Sequence, residues 1–427
     1  MADLRSAVVV GGNRIPFGRI GGAYASATNL DMLTAAIDGL VARFGLAGER
    51  LGEVAAGAVL KHCRDFNLTR EAVLSSALSA ATPAYDVQQA CATSLTAAVQ
   101  LSNRIRVGQL DVAVAGGVDS SSDSPIAVND RLRKTLLRLN AAKTPLDKVK
   151  TLAGVRPSDL APEVPRAAEP RTGLNMGQHQ ALTTALWGIT REAQDELAAA
   201  SHHNLAKAWS AGFFDDLVTP YLGQTRDQSL RPDTSVEKLA KLRPVFGDGP
   251  DATMTAGNST PLSDGAAVVL LADEGWARNR NLPVLARIVD AETAAVDYLL
   301  GKEGLLMAPA HAAGRLLTRN NLGLQDFDFY EIHEAFASTV LCTLAAWESD
   351  DYCRDTLGLP GALGSIDRTK LNVNGSSLAA GHPFAATGAR ILASLAKMLA
   401  ERGPGSRGLI SVCAAGGQGV VAIVEAC

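Results

Sequence analysis

The chain has 427 residues, more than one ordinary hydrophobic core can use, so about two or three packed units are expected. Hydrophobic residues make up 47% of it, 40 residues are glycine and the formal net charge is −4, which suits a compact α/β enzyme and gives no reason to expect a nucleic-acid partner. No apolar run reaches the roughly 20 residues of a membrane span, and Met1-Ala2-Asp3-Leu4-Arg5 has no signal-peptide layout.

The first element expected is a strand at Ala7-Val8-Val9-Val10. An Ala/Leu-rich helix should start near Cys91 and run towards Arg106, followed by an apolar strand, Val112 to Val118, broken by Gly116-Gly117. From 121 to 250 the character changes: Pro and charge increase and strand periodicity is lost. A helix should open at Thr190, with Thr190 as N-cap and acidic residues in its first turn. Within that stretch, 131–156 carries eight Lys/Arg and one acid, Asp147, with Leu132, Leu136, Leu137 and Leu139 between them near helical spacing. A charged face of a larger body is the favoured reading, and contact with an anionic membrane surface the less favoured one. Ser259 to Ala266 and the apolar Val268-Val269-Leu270-Leu271 return the chain to sheet. A second long helix, Ala386 towards Arg402, and a second apolar strand, Leu409 to Cys413, again end in a Gly-Gly turn, Gly416-Gly417. The chain therefore repeats a helix–strand–glycine pattern. Such strands belong to sheets covered on both faces. The expected division is 1–120 with 251–280, an inserted segment 121–250, and 281–427.

The six cysteines, Cys63, Cys91, Cys342, Cys353, Cys413 and Cys427, show no CxxC pair and no metal-ligand spacing. Reduced thiols in the cytoplasm are expected, no metal is called for, and the C-terminal Val424-Glu425-Ala426-Cys427 is not a peroxisomal signal. Cys63, Cys342, Cys353 and Cys427 read as small buried hydrophobes. Cys91 and Cys413 differ because each stands at a strand-to-turn junction among small residues. Cys91 precedes a helix, whose dipole should lower its thiol pKa. His382 lies between Gly381 and Pro383, which hold the ring. Two thiols and one imidazole are the minimum for making or breaking a carbon–carbon bond beside a thioester. One thiol takes the acyl group, the imidazole takes its proton, and the second thiol moves the proton on carbon. Gly416-Gly417-Gln418-Gly419 has no Walker lysine and no GxGxxG context, so nucleotide binding of that kind is not expected.

Gln88-Gln89-Ala90-Cys91-Ala92-Thr93-Ser94, His333-Glu334-Ala335-Phe336, Gly381-His382-Pro383 and Cys413-Ala414-Ala415-Gly416-Gly417-Gln418-Gly419 resemble the catalytic blocks of the thiolase family, in family order, and the resemblance runs from about Arg5 to Cys427. It implies an α/β fold of two similar halves, layered α/β/α/β/α, with the inserted segment as a loop domain over the coenzyme A site. It implies that Cys91 is acylated, that His382 is its base and helps bind the incoming thioester's oxygen, and that Cys413 is the acid/base on carbon. Ala415, where many thiolases have Gly, would offer a backbone N–H to the oxyanion hole, provided that it needs no positive φ. His333 stands where an asparagine is commoner and would serve the thioester oxygen; this histidine form is that of β subunits of fatty-acid oxidation complexes. Glu334 would orient His382 or a water. Met176, with Gly177, would line the acyl pocket, and Ser259 and Thr260 the pantetheine arm. The implied activity is thiolysis of 3-ketoacyl-CoA by coenzyme A, with coenzyme A as substrate and no other cofactor. The implied assembly is a homodimer or tetramer, with a hydratase/dehydrogenase subunit as a further partner. Alternatives are a biosynthetic acetoacetyl-CoA thiolase, a thiolase-like lipid-binding protein, and a decarboxylating ketosynthase, which needs one Cys and two His and would leave Cys413 idle.

Overall fold

The computed structural model describes residues 4–165, 168–249, 251–301 and 303–427. Its main body is a ten-stranded sheet. Nine strands form its path: β1 (Ala7–Arg14), β2 (Glu53–Ala56), β3 (Ala84–Asp86), β4 (Val112–Ser120), β5 (Ser263–Asp273), β6 (Ala286–Ala295), β7 (Phe329–Ile332), β8 (Arg407–Ala414) and β9 (Gln418–Ala426). Their spatial order is β7-β8-β9-β6-β1-β5-β4-β2-β3. The two halves meet where β1 and β6 are paired through Val9 and Ala286. The seam is thin, so side-chain packing and not the ladder holds the halves together.

Alternation along the strands sorts their side chains into layers, because successive residues point to opposite faces. Val8, Val10, Val112, Val114, Val268 and Leu270 pack outward with helix α1 (Asn29–Phe44) and α2 (Leu68–Ser75). Val9, Ala113, Ala115, Val269, Ile410, Val412 and Val424 share one inner cluster with α3 (Thr93–Arg106) and a second long helix, Thr387–Arg402. Leu409, Val421 and Ile423 face the opposite outer side, with residues of Ala308–Asn320 and Ala337–Glu348. The result is helix, sheet, inner helices, sheet, helix. Both faces of each half-sheet are buried, which is why the strands read as unbroken apolar runs.

The chain leaves the sheet at Ser120 and rejoins it at Ser263. Between them lie α4 (Asp130–Ala141), α5 (Pro145–Ala153), α6 (Met176–Leu186) and α7 (Arg191–Ser210). Thr190 does cap α7, its side chain accepting from the Ala193 N–H. The basic stretch falls on α4 and α5, and neither helix buries a residue. Leu136, Leu137, Leu146, Val149 and Leu152 are all exposed. The stretch is therefore an arm of mostly exposed residues, with Leu132, Thr135 and Leu139 half-buried along one side of α4. No helix among the described residues is long and apolar enough to cross a membrane.

Candidate active site

Cys91 sits on a sharp turn between Gln89 and α3. The preceding Ala90 has φ 46°, a left-handed conformation that an alanine adopts only under constraint. Thr93 supplies it: its Oγ1 donates to the Ala90 carbonyl at 2.7 Å and accepts the Gln89 N–H at 2.9 Å. Gln89 also reaches across the seam, its Nε2 donating to Gln418 Oε1 at 3.1 Å. The helix begins at Thr93, two residues past the cysteine, so its dipole does less for the sulfur than the sequence suggested. Cys91 keeps some exposed surface, but protein encloses its sulfur, and burial, with Asp119 behind it, pushes the thiol up to about 12. The backbone N–H groups of Ala415 and Cys91 itself act against that rise. The expected lowering is thus overturned: in the resting enzyme Cys91 is a neutral thiol.

His382 Nε2 lies 3.2 Å from Cys91 Sγ, and its Nδ1 is 2.6 Å from Thr387 Oγ1. With Nδ1–H given to the Thr387 oxygen, the Nε2 lone pair faces the thiol. Burial, then the charge of Arg390, brings the imidazole down to about 3, so it rests neutral and ready to accept. Gly381 sets the ring's position: at φ 104° and with a Cβ that would meet Ser263 Oγ at 2.7 Å, only glycine fits there. The His382 N–H donates to that same Ser263 Oγ at 3.1 Å.

Cys413 ends β8, buried, and shares an apolar cluster with Met254, Leu305, Leu306, Phe336 and the half-buried Met176. Burial and the nearness of Cys91 raise its thiol. Ala415 is not among the residues of positive φ; Gly416 and Gly417 take those conformations at 79° and 70°, so the methyl is accommodated. The Gly416 N–H donates to Glu169 Oε1 of the inserted segment at 2.7 Å, which fixes the turn.

His333 is buried beside His382, ring centroids 4.1 Å apart. Its Nδ1 lies 2.8 Å from Ser377 Oγ, which also receives an N–H of Arg390 at 2.8 Å. Arg390 donates to Ser377 Oγ, which leaves the Ser377 hydrogen free for Nδ1; in that tautomer the imidazole proton sits on Nε2. That Nε2 has no hydrogen-bond partner among the described residues. A buried donor without an acceptor costs about 1–3 kcal/mol, and this one is held in place by a serine and a buried arginine. Burial keeps the ring neutral. We expect Ser377→Ala to slow turnover about tenfold, the scale of one orienting hydrogen bond, and to do almost nothing in a His333→Asn background. Steady-state rates of the four variants in that cycle check this.

The remaining sequence candidates fall into place unevenly. Glu334 accepts from Ser201 Oγ at 2.7 Å, Asn372 Nδ2 at 2.7 Å and the Leu378 N–H at 3.1 Å; these bonds brace the Asn372–Leu378 loop that carries Ser377, and none is to His382. Thr260 gives its hydroxyl to the Ala335 carbonyl at 2.9 Å, which clamps the His333–Phe336 segment. Ser259 Oγ is buried with no hydrogen-bond partner among the described residues. Among the other cysteines, Cys342 and Cys353 are buried, but Cys63 is exposed and Cys427 half-buried, contrary to the buried reading for all four. Asp119 was missed. Its carboxylate accepts the N–H groups of Val59, Leu60 and Ala385 at 2.9, 2.7 and 2.8 Å, tying the first half to the His382 turn. Its place directly after the apolar run from Val112 was the available signal.

The two halves match separate family models, "Thiolase, N-terminal domain" over residues 7–275 and "Thiolase, C-terminal domain" over 282–426. The chain belongs to the thiolase family. Similar proteins include a 3-ketoacyl-CoA thiolase of Pectobacterium atrosepticum, 39% identical over 422 residues that make up 97% of this thiolase and 95% of that one. Another is a 3-ketoacyl-CoA thiolase of Yersinia pestis, 39% identical over 424 residues, 98% and 96% of the two chains. Among solved structures, the Bacillus anthracis acetyl-CoA acetyltransferase superposes with a TM-score of 0.81 at 30% identity, covering 100% of both chains. An Ascaris suum thiolase in complex with coenzyme A gives 0.79 at 23% identity over 99% of this thiolase and 100% of that chain, a likeness of fold.

Proposed function

We propose that this thiolase cleaves 3-ketoacyl-CoA with coenzyme A, giving acetyl-CoA and a shortened acyl-CoA through an acyl-Cys91 intermediate. The observation that carries the reading is the 3.2 Å contact between Cys91 Sγ and a neutral His382 Nε2, with a second, buried thiol at Cys413. As the sulfur attacks the 3-keto carbon, its proton passes to His382. The carbonyl oxygen gains charge beside the Cys91 and Ala415 N–H groups. The bond between C2 and C3 then breaks, and its electrons move into the thioester as an enolate. His382, now protonated, and the Nε2–H of His333 donate to the enolate oxygen. Cys413 gives its proton to C2, and acetyl-CoA leaves. Incoming coenzyme A gives its thiol proton to the Cys413 thiolate and attacks the acyl group. Departing Cys91 recovers its proton from His382, which closes the cycle with every proton returned.

Coenzyme A enters as substrate, with Met176 in the acyl pocket and Ser259 and Thr260 at the pantetheine arm. A homodimer or tetramer in the cytoplasm, joined by a hydratase/dehydrogenase subunit, completes the proposal. Adding coenzyme A to enzyme and acetoacetyl-CoA should remove the thioester-enolate absorbance. Longer 3-ketoacyl chains should turn over faster, because the cluster around Cys413 is lined by Met176, Leu305, Leu306 and Phe336. Absence of thiolysis across the whole ladder of chain lengths overturns the assignment; a preference for the four-carbon substrate would favour the biosynthetic form.

A further inference from the structure

The sequence spacing of the cysteines and histidines shows no metal motif, yet the fold gathers one. Cys91 Sγ and one ring nitrogen each of His333 and His382 lie within 4.8 Å of one another. We propose that these three side chains form an inhibitory site for a thiophilic divalent cation of the zinc type, open only while Cys91 carries no acyl group. The site itself stands on geometry; its closure by acylation rests on the proposed function.

The donor set selects the ion. A thiolate and two imidazoles suit zinc or a neighbouring transition metal and are poor ligands for magnesium or calcium. Three protein ligands leave a fourth position for water. Both imidazoles are kept neutral by burial, so neither must lose a proton to expose a lone pair. Each ring also has its Nδ1 on a hydroxyl, Thr387 for His382 and Ser377 for His333. Histidines that bind metals are commonly held through the outer nitrogen in this way, which turns the other nitrogen to the ion. His382 already presents the Nε2 lone pair. His333 presents it after exchanging tautomers, and Ser377 permits this because a hydroxyl accepts as readily as it donates. The two rings, now 4.1 Å apart at their centroids, must open slightly around the ion.

The binding step balances simply. The Cys91 S–H bond breaks, a sulfur–metal bond forms, and one proton leaves to solvent, with no change of oxidation state. Apparent affinity should therefore rise about tenfold per pH unit while the thiol is protonated. An acylated Cys91 has only a neutral thioester sulfur to offer, so substrate and metal exclude each other.

The test is a titration of chelator-treated protein with Co2+, read by sulfur-to-cobalt charge-transfer absorbance, with Mg2+ as the blank. One equivalent per chain should bind and be displaced by Zn2+, and Zn2+ should inhibit turnover until a chelator is added. The band should vanish in Cys91→Ser, weaken at least tenfold in His333→Ala, and survive in Cys63→Ser and Cys413→Ala. No band, a band that survives Cys91→Ser, or one unchanged in His333→Ala overturns the three-ligand site. Pre-incubation with acetyl-CoA should abolish the band. If it persists while mass spectrometry shows Cys91 acetylated, the exclusion is wrong. If no acetyl adduct forms at all, the proposed catalytic function fails while the cation site stands.

Discussion

Cys91→Ala should abolish acylation, whereas Cys413→Ala should still acylate and then stall. In the proposed mechanism the two thiols serve different half-reactions: Cys91 lies 3.2 Å from His382, and Cys413 lies in the apolar cluster with Met176, Leu305, Leu306 and Phe336. Each loss should reach several orders of magnitude in overall rate, since nucleophile and proton donor each carry a large share of the barrier. Mass spectrometry after brief incubation with an acyl-CoA separates the cases. The adduct should map to Cys91 in the Cys413→Ala protein and be missing from the Cys91→Ala protein. A stable adduct on Cys413 would reverse the roles.

His333→Ala should lose roughly a hundredfold in turnover, the usual effect of removing one oxyanion donor, while His333→Asn keeps much of the activity. The reason is the buried Nε2, which has no hydrogen-bond partner among the described residues and donates in the tautomer set out above. An asparagine side chain can supply a donor from the same place; alanine cannot. The loss should fall on carbon–carbon cleavage, with formation of acyl-Cys91 much less affected. Burst kinetics with a labelled acyl-CoA would resolve the two steps. Wild-type turnover by His333→Ala, or an asparagine variant as inactive as alanine, would remove the oxyanion role and leave a structural histidine.

The parts of this site that were legible in the sequence are those whose neighbours in the chain are also their neighbours in space. Cys91 among small residues, His382 between Gly and Pro, and Cys413 before a glycine turn all belong to that group. So do the strands, because burial on both faces writes itself as an unbroken apolar run. The supports were not legible. Arg390 is bonded to Ser377, which meets His333, and Asp119 is bonded to Ala385 in the His382 turn; both links close in the folded chain alone. The thiol's acidity was misjudged for a related reason. A helix start can be read from sequence, but the burial that outweighs it, and the Asp119 charge that adds to it, arise only in the folded chain. Amphipathic spacing at 131–156 did not say how little would be buried beneath it: neither α4 nor α5 has a fully buried residue.

Gly388 brings the two inner helices into closest approach: a Cβ there would stand 2.5 Å from the Leu95 backbone nitrogen. Leu95 follows Cys91 by one helical turn, and Gly388 follows Thr387, the partner of the His382 ring. This crossing thus acts as a spacer gauge for Cys91 and His382, one borne by each half. It acts beside the Asp119–Ala385 and Gln89–Gln418 hydrogen bonds, which also tie the two halves near these residues. Substitutions that leave each half intact but thicken this crossing by one methyl should drift out of catalytic register long before they unfold, so tolerance to change here is limited by alignment and not by stability.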